Sequence, residues 1–381
     1  MKKIVTIIGA RPQIIKAAAI SRAINTHFSS EIQEVIVHTG QHYDENMSAV
    51  FFEEMGIPVS KYNLQVGSGN HGIQTAKMIE GIESILLDEK PDAVLVYGDT
   101  NSTLAGALAA CKIHIPVIHI EAGLRSFNKS MPEEINRIGC DHMSTLLFSP
   151  TSQGIQNLIN EGFSTDTEGK ASIDRPFVFK TGDIMFDNSL YFADLSQTTS
   201  TLLKTLGLHE RPYVLCTIHR DANTDNPQNL SSIFKGLLEI GETTGWDIVL
   251  PLHPRTKNKM KENLDDTLST KVFSNQKFHL IPPAGFIDMI SLESNCQLVI
   301  TDSGGVQKEA FFFKKPCIIL RPQTEWVEIV DNGNAMLSGA DKDKILHAFN
   351  TLREKTDYSY PSFFGDGKAA ESICELILSS L

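Results

Sequence analysis

Residues 119–137, HIEAGLRSFNKSMPEEINR, gather three carboxylates, Glu121, Glu133 and Glu134, around Arg125 and Arg137. Glu121 follows the apolar VIHI directly, and a carboxylate at that depth needs a partner or a function. Pro132 suits a first helical turn, which sets Glu133 and Arg137 four residues apart, the spacing of an ordinary surface ion pair. Upstream, GDTNSTLAGALAA (98–110) ends another apolar run on Asp99. Asp99 either caps the helix that follows or leaves that task to Thr100 or Asn101. Positioned carboxylates of this kind suit general acid–base chemistry. The same acids lie near His119 and His142, but without HExxH-type spacing a metal site is not expected.

Other segments suit anions. TDSGGVQKEA (301–310) sets Ser303, Gly304 and Gly305 between an apolar run and a helix beginning near Val306. Glycines there allow close backbone approach, and a helix start offers unpaired N–H groups and a positive dipole end. GARPQIIK (9–16) places Arg11 and Lys16 at another helix start, and TIHRDAN (217–223) supplies His219 and Arg220 as charge-assisted donors to phosphate oxygens. Neither GxGxxG nor GxxxxGK[ST] occurs, so the usual dinucleotide and P-loop sites are excluded and no cofactor is indicated.

These residues need elements to hold them. Short β-branched runs alternate with amphipathic or alanine-rich segments, the pattern of βα units and a parallel sheet. The first half offers strands at 3–8, 34–39, 93–98, 116–121 and 145–150, with helices at 12–26, 72–89 and 101–112. FVFKTGD (177–183) reads as a last strand before a crossing, and the series restarts at 213–218, 247–252, 278–283, 297–302 and 316–321. The expected fold is α/β, with two doubly wound domains at 1–183 and 184–367 and a terminal helix, 368–381, docked on the first. Nearly every run ends in a reactive group: Arg11, His42, Asp99 and Glu121 in the first half, His219, His253, Ser303 and Arg321 in the second. Ligands of open α/β sheets bind at the carboxyl ends of the strands, so these groups are expected to converge on an interdomain cleft.

Composition narrows the ligand. The 381 residues suggest two domains of ordinary size, and 34 Lys plus Arg against 46 Asp plus Glu give a net charge of −12. That field repels nucleic acid and anionic membrane, so an anionic ligand must meet a local basic site. Six dispersed cysteines, mostly inside apolar runs, read as reduced core thiols of a cytosolic protein. The start MKKIVTIIGARPQ lacks a small-residue cleavage site and reads as a first strand rather than a signal peptide. No other apolar stretch nears the roughly 20 residues that span a bilayer.

In order and spacing, GARPQIIK, TGQHYD, VYGDTNS, HIEAGLRS, PEEINR, TIHR, LHPR, TDSGGVQKEA and FFGDGKA resemble the motifs of the non-hydrolysing UDP-N-acetylglucosamine 2-epimerases over almost the whole chain. The resemblance implies two Rossmann-like domains in the GT-B arrangement, a cleft holding UDP-sugar, a homodimer, and inversion at C2 of the sugar with neither nicotinamide nor metal. It implies elimination of UDP to a 2-acetamidoglucal and its re-addition after protonation of the other face. Matched position by position, Asp99, Glu121 and Glu133 fall on the catalytic carboxylates, with Arg137 beside Glu133 and His219 at the nucleotide. Arg11, Lys16, Ser303, Gly304, Gly305 and Glu309 fall on the UDP-binding set, Glu309 at the ribose hydroxyls; Arg220, His253 and Arg321 are further candidates for it. Gln41 and His42 fall where several bacterial members bind a second UDP-sugar as activator.

The commoner GTRPE, HRREN, GGIQEE and TERPE read here as GARPQ, HRDAN, GGVQKE and TEWVE. Gln13 and Lys308 thus replace acids, and Trp326 stands where an arginine would help hold nucleotide. Acids lost and a base gained suggest a more negative sugar, as in the branch acting on UDP-2,3-diacetamido-2,3-dideoxyglucuronic acid in surface-polysaccharide synthesis. A GT-B glycosyltransferase and a nucleotide-sugar binding module are the alternatives from other classes.

Overall fold

Runs without polar alternation suit parallel strands, which helices cover on both faces. The computed structural model describes residues 1–41 and 56–381. Its first sheet contains β1 (Lys2–Ile8), β2 (Ile32–His38), β3 (Tyr62–Asn63), β4 (Ala93–Tyr97), β5 (Val117–Ile120), β6 (Leu146–Ser149) and β7 (Phe177–Lys180). All pairings are parallel, in the order β3-β2-β1-β4-β5-β6-β7. The second sheet contains β8 (Tyr213–Thr217), β9 (Asp247–Pro251), β10 (Phe278–Ile281), β11 (Leu298–Thr301), β12 (Cys317–Ile319) and β13 (Ala335–Leu337), ordered β10-β9-β8-β11-β12-β13 and again parallel. Both are Rossmann-like, doubly wound sheets. The strand order reverses between β1 and β4 in one and between β8 and β11 in the other, the positions where such sheets hold ligands.

The chain divides into a first unit, Met1–Asn188 with Ser362–Leu381, and a second, Ser189–Pro361. The sequence reading put the crossings at 183/184 and 367/368. The helix Ala369–Ser380 lies in the first unit against the helix Arg11–Ala23, and Asp187 accepts from the N–H groups of Ala369 and Ala370 at 3.2 and 2.7 Å. Those bonds satisfy donors that a helix start otherwise leaves open. Strands β3 and β13 were not expected, because two or three residues are too short to display a period.

The first core is built from strand residues such as Val5, Ile7, Val94 and Val96 against Met78 and Ile82 of the helix His71–Glu89. The second sets Val214, Ile248 and Ile300 against Phe234 and Leu237 of the helix Pro227–Thr244. The alanine-rich helix Asn101–Lys112 follows β4 and contributes Ala105, Ala107, Ala109 and Ala110 to the first core. Its small side chains let it lie close to the sheet, which brings its start to the β1/β4 reversal. No helix among the described residues is long and apolar enough to cross a membrane.

Candidate active site

At the end of β1 the chain turns through Gly9 and Ala10 into the helix Arg11–Ala23, with Pro12 in its first turn. Ala10 has no side chain to cap with, and buried Gln13 does so instead. Its Oε1 accepts from Gly9 N (2.9 Å) and Ala10 N (3.2 Å), while its Nε2 donates to Tyr97 O and Thr103 Oγ1, both at 3.0 Å. An ionised glutamate here would have no N–H to donate to the carbonyl of Tyr97. Gln13 therefore ties β1 to β4, which weakens its use as a sign of substrate charge. Arg11, at the first helical position, is exposed.

Glu121, immediately after β5, has φ 73°, a left-handed conformation that costs a non-glycine residue about 1–2 kcal/mol. The bend is held by its own N–H and that of Ala122, both donating to Phe148 O at 3.1 Å. It turns the carboxylate, on a residue only 9% exposed, onto the ammonium group of Lys16. Gly98 makes room for the pair: a Cβ there would sit 3.1 Å from Glu121 Oε2 and 3.3 Å from Lys16 Nζ, on a backbone with φ +61°. Thus Gly9, Lys16, Gly98 and Glu121, from three strand ends, meet at the β1/β4 reversal.

Asp99 does not cap the next helix. Thr100 does, accepting from Thr103 N, and Asp99 instead pairs with Arg137 of the helix Pro132–Met143. Asn136 donates to Asp99 O at 2.9 Å and to Asn101 Oδ1 at 3.2 Å, so two successive helical residues grip the turn. The expected Glu133–Arg137 pair does not form. Arg137 pairs with Asp99 and, at 3.3 Å, with Glu134, while Glu133 is exposed. Glu134 accepts from Ser126 N and Oγ, both at 2.9 Å, and from Phe127 N at 2.8 Å. Burial would raise its pKa, but these donors and Arg137 outweigh burial and lower it, so Glu134 is an ionised brace for the loop after Glu121. Gln41 accepts from Ser102 N and Oγ at 3.2 and 2.8 Å; His42 lies outside the described residues.

The second unit uses backbone where the first uses side chains. Asp302, just after β11 and fully buried, accepts from His219 N (3.0 and 3.2 Å), Arg220 N (3.0 Å) and Asn223 Nδ2 (2.9 Å). It fixes the turn after β8 and leaves the exposed His219 and Arg220 side chains free to reach a ligand. Desolvation by the packed turn against its ring, which outweighs the opposing pull of Asp302 and is helped a little by His253, holds His219 below the ordinary histidine pKa although the side chain still reaches solvent. Ser303 precedes the helix Gly304–Phe312 with no side-chain capping bond, which keeps that helix's first N–H groups available to an anion.

Around this turn a Cβ on Gly304 would lie 2.3 Å from Glu325 Oε1, and Arg321 pairs with Glu325 at 2.9 Å. Glu309 is half-buried on the same helix. Lys308 is not a solvent residue. It is 5% exposed, with its ammonium 4.4 Å from the centre of the Trp326 ring, and Trp326 Nε1 donates to Gly304 O at 2.9 Å. Lys308 and Trp326, two of the departures from the commoner motifs, are thus one contact. His253 caps the helix Pro254–Asn263, accepting from Arg255 N at 3.3 Å, and Arg255 pairs with Asp221 and Asp225 at 2.8 and 2.7 Å.

Asp302, Asn223 and Arg255 are site-building residues that the sequence reading did not single out, and Gln13 and Glu134 are ones to which it gave no such task. Each acts on a partner distant in the chain or one helical step from the residue chosen, and sequence spacing carries no signal for that. The folds and strand-end groups define a two-unit, Rossmann-type enzyme handling a nucleotide-linked ligand. The family model for UDP-N-acetylglucosamine 2-epimerase matches residues 24–378, and the chain belongs to that family. A UDP-N-acetylglucosamine 2-epimerase homolog of Methanococcus maripaludis is 46% identical over 98% of this chain and 99% of its own. The UDP-2,3-diacetamido-2,3-dideoxy-D-glucuronate 2-epimerase of Pseudomonas aeruginosa is 48% identical over the same shares. The crystal structure of Methanocaldococcus jannaschii UDP-GlcNAc 2-epimerase in complex with UDP-GlcNAc and UDP is 42% identical, covers 99% of each chain and has a TM-score of 0.82.

Proposed function

We propose that the chain interconverts UDP-N-acetylglucosamine and UDP-N-acetylmannosamine. The observation that carries this reading is the pair of carboxylates at adjoining strand ends, Glu121 against Lys16 and Asp99 against Arg137. A proton leaves C2 to one positioned carboxylate as the C1–O bond to UDP breaks, giving 2-acetamidoglucal and UDP. A proton then arrives at the opposite face of C2, and a UDP oxygen re-forms the bond at C1. The sequence is redox-neutral. Asp99, Glu121 and Glu133 are the acid–base candidates; Arg137 stabilises the charge of Asp99 and Lys16 that of Glu121. His219, Arg220, Ser303 and the Gly304–Gly305 turn hold the diphosphate that departs and returns, and Glu309 takes the ribose hydroxyls. The six free thiols, five of them buried, suit a reducing compartment such as the cytoplasm.

The test is incubation of UDP-N-acetylglucosamine with the protein in deuterated water, with no acceptor present. Deuterium at C2 of the UDP-N-acetylmannosamine formed is the expected result. Retained protium would point to internal hydride transfer, and no epimer at all would remove the activity. The diacetamido uronate is a second substrate reading, favoured by the Pseudomonas relative at 48% identity.

A further inference from the structure

Among the described residues, a buried charged cluster beside the two carboxylates is left unused by the mechanism above. His119, on β5 and fully buried, sets Nδ1 2.7 Å from Asp141 Oδ1 and Nε2 2.8 Å from Gly98 O. A carboxylate and a carbonyl only accept, so both ring nitrogens donate and the ring is an imidazolium. Burial opposes that charge, but Cys140 and Asp141 beside the ring outweigh it and raise the imidazole's pKa well above the ordinary value. Asp141, on the helix Pro132–Met143, accepts from Gly123 N at 3.1 Å with its other oxygen and pairs there with Arg125 at 2.7 Å. Arg125 in turn grips Glu161 through Nε and Nη2, at 2.7 and 2.6 Å.

The two ends of this cluster matter. Gly98 O belongs to the turn that presents Asp99, and Gly123 N to the turn that follows Glu121. We propose that His119 and Asp141 form a positioning pair that sets the separation of Asp99 and Glu121 by clamping the backbone turns on which the two carboxylates stand. The proposal rests on the reading of Asp99 and Glu121 as acid–base groups. Neither His119 nor Asp141 needs to touch substrate. A sugar whose two C2 faces are served by different side chains depends on their spacing, and small misplacements of reacting groups are known to lower rates steeply. The β4 and β5 ends lie on neighbouring strands but carry no backbone bond beyond Gly98 N to Ile120 O, so a side-chain link past that point has a clear task.

Two amide substitutions separate this role from mere packing. A glutamine amide reaches about as far as Nε2 and an asparagine amide about as far as Nδ1. His119→Gln therefore retains a donor to Gly98 O, whereas His119→Asn retains only the contact with Asp141. The expected result is a kcat loss of roughly 10- to 100-fold for His119→Asn, with UDP affinity unchanged and free UDP and 2-acetamidoglucal accumulating, and a clearly smaller kcat loss for His119→Gln, which keeps the Gly98 end of the clamp and gives up only the bond to Asp141. Equal losses in the two variants, or a normal kcat for folded His119→Asn, would overturn the clamp. Should His119→Asn not fold, Asp141→Asn decides: the proposal requires kcat to fall with UDP affinity kept, and an unchanged kcat rejects it. Deuterium uptake at C2 by the unmodified protein is scored in the same experiment. Its absence would sink the epimerase reading itself, whereas its presence with indifferent variants would sink only the clamp.

Discussion

The strand ends of the two units solve different problems with the same fold. In the first unit, charged side chains face one another across the reversal point, Lys16 on Glu121 and Arg137 on Asp99. In the second, the carboxyl group at the reversal, that of Asp302, is turned inward to organise backbone, and what faces outward is a glycine-rich helix start with uncapped N–H groups. Placed carboxylates suit proton transfer at carbon, whereas a fixed array of N–H groups suits a diphosphate that must be held, released and recaptured. The division predicts that substitutions in one unit move kcat and those in the other move nucleotide affinity.

Glu121→Gln gives the largest expected effect on one side of that division. It preserves size while removing the proposed acid–base group, so turnover should fall about 100-fold or more with UDP affinity little changed. Steady-state kinetics and UDP titration check both halves, and near-normal turnover would reduce Glu121 to the ion partner of Lys16. Asp302→Asn is the counterpart. It loses acceptor strength towards backbone N–H groups that a carboxylate binds by about 1.5–3 kcal/mol. UDP affinity should therefore fall by about 10-fold or more, with a much smaller change in kcat at saturating substrate. A kcat loss without an affinity loss would abolish the contrast between the units.

The same contrast shows what the sequence could and could not reveal. The alternation of apolar runs and helical segments was enough for two doubly wound sheets, because each strand end coincides with a polar break. Residues that point out of those ends, such as Asp99, Glu121 and Ser303, were visible for the same reason. Groups that point inwards were not: Asp302 was read only as the last residue of a strand, and the His119–Asp141 contact joins a strand to a helix 22 residues later. Between the adjacent Glu133 and Glu134 the choice turned on about 100° of helical phase, which only the packing against Ser126 and Arg137 fixes. Lys308 met the same difficulty: it was read as a base gained towards the sugar, and nothing in the spacing shows that it lies against Trp326.

Gly98→Ala probes the first unit's geometry without touching a carboxylate. A methyl group there meets Glu121 Oε2 at 3.1 Å and Lys16 Nζ at 3.3 Å on a backbone with φ +61°. The left-handed backbone alone should cost roughly 1–2 kcal/mol of stability. Thermal unfolding should register that loss, and kcat should fall while UDP affinity holds. Ser303→Ala, its counterpart at the uncapped helix start, should weaken UDP binding by about 1 kcal/mol if the hydroxyl meets phosphate and leave kcat nearly unaltered. Unchanged UDP affinity there would confine anion binding to the backbone.

The smallest expected effect belongs to Lys308, and it bears on which sugar the enzyme takes. With its ammonium over the Trp326 ring, and Trp326 bonded to Gly304 O, Lys308 braces the anion turn from behind. A cation over a tryptophan face contributes roughly 0.5–2 kcal/mol depending on its exposure. Lys308→Met keeps an unbranched stem on the ring, and a thioether there restores part of that contact. Turnover efficiency should accordingly fall only a few-fold, and by the same factor for UDP-N-acetylglucosamine and for the diacetamido uronate, because a brace on the turn acts through the shared UDP. A recognition role for the ammonium makes the opposite demand. The unmodified protein would then prefer the acidic sugar, and Lys308→Met would lose that preference while sparing the neutral one. Measuring kcat/KM for both sugars with both proteins separates the cases. The buried contact with Trp326 favours the equal loss, which would leave substrate choice to residues other than Lys308.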